Sequence, residues 1–311
     1  MAEGFAERPS TAMHYFSQDF KWEDLRDEVQ SRPKGSDDVL GNLPVVSLDH
    51  NVEAWKKFHH LHAKHAFFKE RRYLVKEFPD LLASDRVLNI LEVGCGTGSS
   101  VLPILRANKA AVVYACDCSE SVLRRAHSLV QTTISSDGNC RFVPFLCDIS
   151  IQRLPSWLCC SSCMDLEGII HEDSISSENG ERLHCINGID IITMIFTLSS
   201  IPPHQMQHVI EECFSVLKPG GLVLFRDYGL YDMTMQRFSA TQRVGEQLYQ
   251  RGDGTLTFFF TPESLSNLFV QAGFVEEENY FCCVEVRNRR RELPMKRVWI
   301  HAKFIKPQSP S

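Results

Sequence analysis

The sequence predicts an α/β fold, a doubly wound and mostly parallel sheet preceded by a helical extension. Three observations predict it. From Asp85 onward, short apolar runs alternate with amphipathic helical stretches. Those runs are continuously apolar, as strands buried on both faces must be. The first run also ends in a glycine-rich loop that opens onto a helix. The 311 residues, 43% hydrophobic and 23% charged, are enough for a substantial core and exclude collagen, coiled coil and wholesale disorder.

The elements follow in order. Residues 1–50 are polar and acidic and are broken by Pro9, Pro33, Gly35, Gly41 and Pro44, so most of this arm reads as weakly ordered, with Phe16, Phe20 and Trp22 as docking anchors. Residues 51–84 are helix-rich. Trp55, Phe58, His62, His65, Phe68 and Tyr73 fall three or four apart on an aromatic face, and Lys56, Lys57, Lys64, Lys69, Arg71, Arg72 and Lys76 mark a basic one. Residues 85–306 form the sheet domain, and 307–311 a tail. Strands are expected at Val87–Val93, Ala111–Cys116, Phe142–Cys147, Ile189–Thr197 and Gly221–Asp227, the last after a turn at Lys218–Gly221. Helices are expected at Ser99–Asn108, from the N-cap Ser119 to about Val130, and at Pro203–Leu217. A strand at Leu256–Phe260, a helix from Pro262 to about Ala272, and strands near Tyr280–Val286 and Arg297–Phe304 complete the pattern. Residues 159–188, rich in Ser, Glu, Asp and Gly, interrupt it as an acidic surface insertion.

The segment Leu91-Glu92-Val93-Gly94-Cys95-Gly96-Thr97-Gly98 joins the first strand to its helix. Glycines there permit a tight turn and close approach of a ligand. The Gly-x-Gly-x-Gly spacing differs from the Gly-x-Gly-x-x-Gly that cradles a pyrophosphate, which favours a ligand without phosphate. Asp117 ends the second strand, where a carboxylate can accept from both ribose hydroxyls, and Asp148 ends the third, where it can accept from an adenine amine. The set describes an adenosine site without a phosphate clamp, which S-adenosylmethionine fits. Glu92, Gly94, Gly96, Gly98, Asp117, Asp148, Ile149 and Ile195 are the expected cofactor residues.

Together with Leu217-Lys218-Pro219-Gly220-Gly221, these residues resemble the class I methyltransferases, which implies a Rossmann-like seven-stranded doubly wound sheet over about Asp85–Phe304. A narrower resemblance rests on Phe67-Phe68-Lys69-Glu70-Arg71, Tyr114-Ala115-Cys116-Asp117, Phe225-Arg226-Asp227-Tyr228-Gly229-Leu230-Tyr231-Asp232, Arg251-Gly252-Asp253-Gly254-Thr255 and Phe259-Phe260-Thr261. These are similar to the eukaryotic tRNA N3-methylcytidine methyltransferases, and the likeness implies methylation of cytidine 32 in an anticodon loop. The insertion is the main departure. Neutral cytosine carries a lone pair on N3, so the chemistry needs placement within about 3–3.5 Å of the methyl carbon rather than a strong base. A carboxylate would stabilise the base as it becomes cationic. Asp227 is the expected catalytic group for that role and for the exocyclic amine, with its neighbour Arg226 also in the set and Tyr228 or Tyr231 stacking on the extruded base.

The net charge of −6 speaks against a nucleic-acid partner until it is apportioned. Residues 1–50 hold five Lys and Arg against ten Asp and Glu, and residues 159–190 hold one against seven, which leaves +5 for the rest. Lys57, Lys69, Arg71, Arg72, Arg287, Arg289, Arg290, Arg291 and Arg297 are the expected RNA contacts. The partner is then tRNA, with a seryl-tRNA synthetase required in some relatives of the resembled family.

Twelve cysteines without an apolar leader favour a reduced compartment, the cytoplasm with a nuclear fraction open. No run of 18 apolar residues implies a membrane partner. Cys159, Cys160 and Cys163 with His171, His184 and Cys185 invite a zinc reading, but a single C-x-x-C in a polar insertion is too little and no metal is expected. A methyltransferase acting on a protein or small molecule, and a silent subunit that keeps the fold, stay open as alternatives.

Overall fold

The computed structural model of the protein describes residues 18–32, 51–62, 69–82, 86–134, 141–159, 186–287 and 294–308. Among them run strands β1 (Leu88–Val93), β2 (Ala111–Asp117), β3 (Phe142–Leu146), β4 (Ile189–Ile195), β5 (Leu217–Tyr228), β6 (Leu248–Gln250), β7 (Leu256–Phe258), β8 (Val275–Arg287) and β9 (Pro294–Ile305). The helices are α1 (Trp22–Ser31), α2 (Asn51–Leu61), α3 (Leu74–Glu77), α4 (Val101–Ala107), α5 (Glu120–Ile134), α6 (Pro203–Val216), α7 (Met233–Gln236) and α8 (Pro262–Gln271). Seven strands make one sheet in the order β3-β2-β1-β4-β5-β9-β8. Strands β1 to β5 are parallel, β9 runs antiparallel to both its neighbours, and β6 and β7 form a separate hairpin.

The apolar runs are explained by the two faces they serve. Leu91, Tyr114, Ile192 and Phe225 pack into one buried cluster, while their neighbours Ile90, Val113, Ile191 and Leu224 pack into the other. Each such side chain contributes roughly 1.5–3 kcal/mol by burial, which is why alternation is absent from these strands. On the first face Phe269 of α8 stacks on Phe304 of β9 at 3.9 Å. Thr261 and Ser264 close a capping box that starts α8 there.

Three expectations are corrected. Lys218–Gly221 is not a turn but part of β5: Leu217 pairs with Ile189 and Leu222 with Ile191, so the residues between bulge outward. The end of the chain holds that bulge, because Gly220 N–H donates to Lys306 O (2.8 Å) and Lys306 N–H to Gly221 O (3.0 Å). The acidic arm contains a helix that was not expected, α1 at residues 22–31, and it carries the anchor Trp22. Trp22 stacks on Phe281 at 4.6 Å and donates from Nε1 to Leu230 O, and Leu25 is buried against Cys283 and Val298. Phe20 packs with this cluster, and Phe16 lies outside the described residues. The segment 51–84 is broken into α2, α3 and a 3-10 turn at Pro79–Leu82. Residues 160–185, most of the insertion, lie outside the described residues. No described helix is long and apolar enough to cross a membrane.

Candidate active site

The chain leaves β1 toward β2 on one side of the sheet and returns as β4 on the other, and such a switch point opens a crevice at the carboxyl ends of the strands. A cavity of about 350 Å³ occupies it. Gly94 and Gly96 line the floor. Gly94 has φ +67°, and a Cβ there would come within 2.4 Å of Thr197 Cγ2, whose hydroxyl donates to Val93 O (2.9 Å). Gly96 has φ +52°, and a Cβ on it would meet nothing within 4 Å. One glycine is demanded by packing; the other faces open space.

Asp117 anchors the loop. Its Oδ2 accepts from Gly96 N–H and its Oδ1 from Ser119 N–H, both at 3.0 Å. Beyond these two N–H groups only the weak Cys118 thiol donor is seen at the carboxylate among the described residues, so it keeps acceptor capacity for a ribose diol. Burial pushes the Asp117 carboxyl up, and the nearby His59 opposes that shift. Asp148 lines the same end, its Oδ1 accepting from the Ser150 hydroxyl (2.6 Å) and N–H (3.2 Å), and Ile149 and Ile195 supply apolar wall. The open face at Gly96 and the remaining acceptor capacity of Asp117 fit S-adenosylmethionine. Two expected residues stand behind this floor instead of lining it. Gly98 N–H donates to Cys95 O (3.0 Å) at the start of the following turn. Glu92 is buried, accepts from the Thr193 hydroxyl (3.2 Å), and is pushed up to about 7 by burial, with Arg71 as the main opposing influence.

The opposite wall is α2, part of the basic and aromatic segment expected to meet RNA. Asn51, Val52, Trp55, Phe58 and His59 all line the cavity. Asn51 Nδ2 donates to Ser200 O (2.7 Å) while its Oδ1 accepts from Leu256 N–H (3.4 Å), tying the helix start to both sides of the crevice. The aromatic stripe was the signal for this wall, but periodicity does not say what a helix faces.

At the far end the lining changes to Phe196, Ser199, Tyr228, Thr234, Arg251, Asp253 and Thr255. The Tyr228 ring lies 5.1 Å from Phe196 and 5.7 Å from Phe259, and burial raises its hydroxyl. Phe196 sits at φ +57°, a strained conformation for an aromatic residue. Arg251 Nη1 donates to Leu256 O (3.0 Å). Asp253 Oδ1 accepts from the Thr255 hydroxyl (2.7 Å) and N–H (3.0 Å), and its other oxygen accepts from no described residue.

The structure places Asp227 behind the wall of the cavity. It is fully buried, with Oδ2 accepting from Ser199 N–H (2.9 Å) and Oδ1 from Tyr228 N–H (2.8 Å), and burial pushes it up to about 6. Arg226 points to the other face of the sheet, because side chains alternate along β5. There it pairs with Glu77, which His301 Nδ1 also meets at 2.9 Å, and lies over the Trp299 ring at 4.5 Å.

Of the expected RNA contacts, Lys57, Lys69 and Arg72 are exposed. Arg71 lines the cavity, with Nη1 donating to Ser100 Oγ (2.9 Å). Arg297 is committed elsewhere, its Nε donating to Asp232 Oδ2 (2.9 Å). The Arg287 side chain, Arg289, Arg290 and Arg291 lie outside the described residues, as do Cys160, Cys163, His171, His184 and Cys185.

Comparison with known proteins joins this geometry to a family. A family model described as a methyltransferase domain matches residues 64–278. The tRNA N(3)-cytidine methyltransferase METTL6 of Homo sapiens is 31% identical, covering 91% of this chain and 90% of its own. The tRNA N(3)-methylcytidine methyltransferase Mettl2 of Drosophila melanogaster is 37% identical over 81% of this chain and 70% of its own. Among solved structures, a chain from the complex between the Haloferax volcanii Trm112 methyltransferase activator and a putative methyltransferase superposes with a TM-score of 0.53 at 11% identity, covering 85% of this chain and 100% of that one, which shows the shared fold. Two sequence relatives over most of the chain and a domain match over more than half of it have one reading: the chain belongs to the tRNA N(3)-cytidine methyltransferase family.

Proposed function

We propose that the protein transfers a methyl group from S-adenosylmethionine to N3 of a cytidine in tRNA, at position 32 of the anticodon loop. The observation that carries this reading is the single cavity running from Asp117 and Asp148 at the strand ends to Tyr228, Arg251 and Asp253. One end suits an adenosine and the other a flat polar base. The cofactor supplies an electrophilic methyl group on a sulfonium. The protein's part is to hold the cytosine in line and keep water out. Tyr228 and Phe196 offer ring faces to an extruded base, and Arg251 can donate to the cytosine O2. Asp253 is the carboxylate that meets the cavity at this end and can accept from the exocyclic amine. Asp227 acts one layer behind, holding Ser199 and Tyr228 and placing negative charge near the base as it becomes cationic.

RNA contact outside the cavity is assigned to Lys57, Lys69 and Arg72, which are exposed on the segment leading into it. A seryl-tRNA synthetase as accessory partner and a cytoplasmic setting complete the proposal. Mass spectrometry of nucleosides after incubating the protein, bulk tRNA and S-adenosylmethionine, with and without that synthetase, tests it. N3-methylcytidine is the expected product. Its absence in both arms, with cofactor binding intact, would move the acceptor to a protein or small molecule.

A further inference from the structure

His59 is nine-tenths buried in the wall formed by α2, 9% exposed, and lines the same cavity as Asp117 and Gly96. Its ring is fixed by aromatic neighbours on its own helix, Trp55 at 5.9 Å and Phe58 at 5.6 Å. Neither of its nitrogens makes a hydrogen bond with any described residue, whereas His62 one turn on is bonded to Phe58 O through Nδ1 (2.8 Å). The imidazole is held in place by packing at the cavity wall, so its hydrogen-bonding capacity is open to a ligand in the cavity. Electrostatically its main partner is Asp117, ahead of Arg125 and His62.

The hydrogen-bond accounting at Asp117 leaves a place for it. Each carboxylate oxygen already takes one backbone N–H, and the Cys118 thiol adds a weaker donor, which leaves acceptor capacity on the carboxylate. Two ribose hydroxyls donating there would fill the carboxylate, yet each hydroxyl oxygen would still need a donor. An imidazole N–H from the opposite wall is such a donor.

We propose that His59 is a ligand-binding residue of the nucleoside site, donating to the ribose diol whose hydroxyls Asp117 accepts, so that the diol is clamped between the sheet and α2. This rests on the adenosine-cofactor reading of the cavity. The test is calorimetric binding of S-adenosylhomocysteine and of its 2′-deoxy and 3′-deoxy analogues to the wild-type protein, His59→Phe and His59→Gln, without tRNA. His59→Phe keeps the ring packing and should weaken binding of the parent compound about three- to tenfold, the range of one neutral hydrogen bond. His59→Gln, which keeps a donor, should recover part of that loss. The wild-type protein should lose affinity on removal of the contacted hydroxyl, and His59→Phe should lose measurably less.

Equal affinity of His59→Phe and wild type, or identical deoxy penalties in both, overturns the assignment while leaving the cofactor reading intact. Failure of the wild-type protein to bind S-adenosylhomocysteine overturns both. An unchanged unfolding midpoint of the unliganded variant separates a lost contact from a loosened helix.

Discussion

Glu92 and Asp227 are carboxyl groups that the fold withholds from water, and both should be visible as pH dependence. Burial holds Glu92 at about 7 in the folded chain against an ordinary value of 4.5. The folded state therefore binds more protons than the unfolded state between those values, so stability is full below the lower one and is lost as pH rises through the upper. Glu92→Gln should remove that slope, gaining about 3 kcal/mol relative to wild type at pH 8 and nothing at pH 4. Parallel denaturation curves across that range would refute it. Asp227, pushed up to about 6, has the same sign over a lower window. Asp227→Ala should cut turnover at least about tenfold while shifting cofactor affinity little, because its partners are Ser199 and Tyr228 rather than the glycine loop. A comparison of kcat with the dissociation constant for S-adenosylhomocysteine checks this. Gly94→Ala combines a left-handed φ with a Cβ 2.4 Å from Thr197, so the chain should lose about 2–3 kcal/mol and most cofactor binding. Asp117 and Asp148 were legible because a strand end and a glycine loop together specify which way they face. Asp227 was not, since sequence gives its position on β5 but not that two backbone N–H groups from its own side of the wall claim both its oxygens.

Among the elements, α2 is the one whose role the sequence concealed. Its basic and aromatic faces suggested a surface helix meeting RNA, and instead the aromatic face closes the cofactor cavity. Spacing establishes that a helix has two faces; only the tertiary partners of Asn51, at Ser200 and Leu256, show where each is turned. Asn51→Ala removes both bonds and should weaken binding of S-adenosylhomocysteine about five- to twentyfold, with faster amide exchange in residues 51–61 as the structural readout. Unchanged exchange there would mean that the helix is held by its aromatic residues alone. Helix α1 was hidden in the same way by the acidic composition around it, although Trp22, Leu25 and Val29 carry the three- and four-residue spacing of one buried stripe. Leu25→Ala should cost about 2–4 kcal/mol, measured by denaturant unfolding.

On the scale of the whole molecule, the sheet was the most legible part. Every parallel strand falls within a few residues of its apolar run, because a strand buried on both faces has no other way to be written. Charge is uneven at this scale too, with the acid concentrated in residues 1–50 and 159–190. Affinity for tRNA should accordingly fall at least about tenfold between 50 and 200 mM salt in a filter-binding titration, and a flat response would argue against phosphate contact by the basic segments.

The strand order also bears on how the chain is made. Strand β9 is last in sequence, yet it lies between β5 and β8 in the sheet. During synthesis the edge of β5 from Leu222 to Tyr228 has no neighbour until residue 305 has left the ribosome, and β8 has no sheet to join. Helix α1 must wait as well, since Leu25 docks on Cys283 of β8 and Val298 of β9. Helix α1 and strand β9 thus join the sheet only after its five parallel strands have been made, and a ribosome stalled before β9 would hold a sheet with every residue of the cavity wall synthesised but the edge of β5 open.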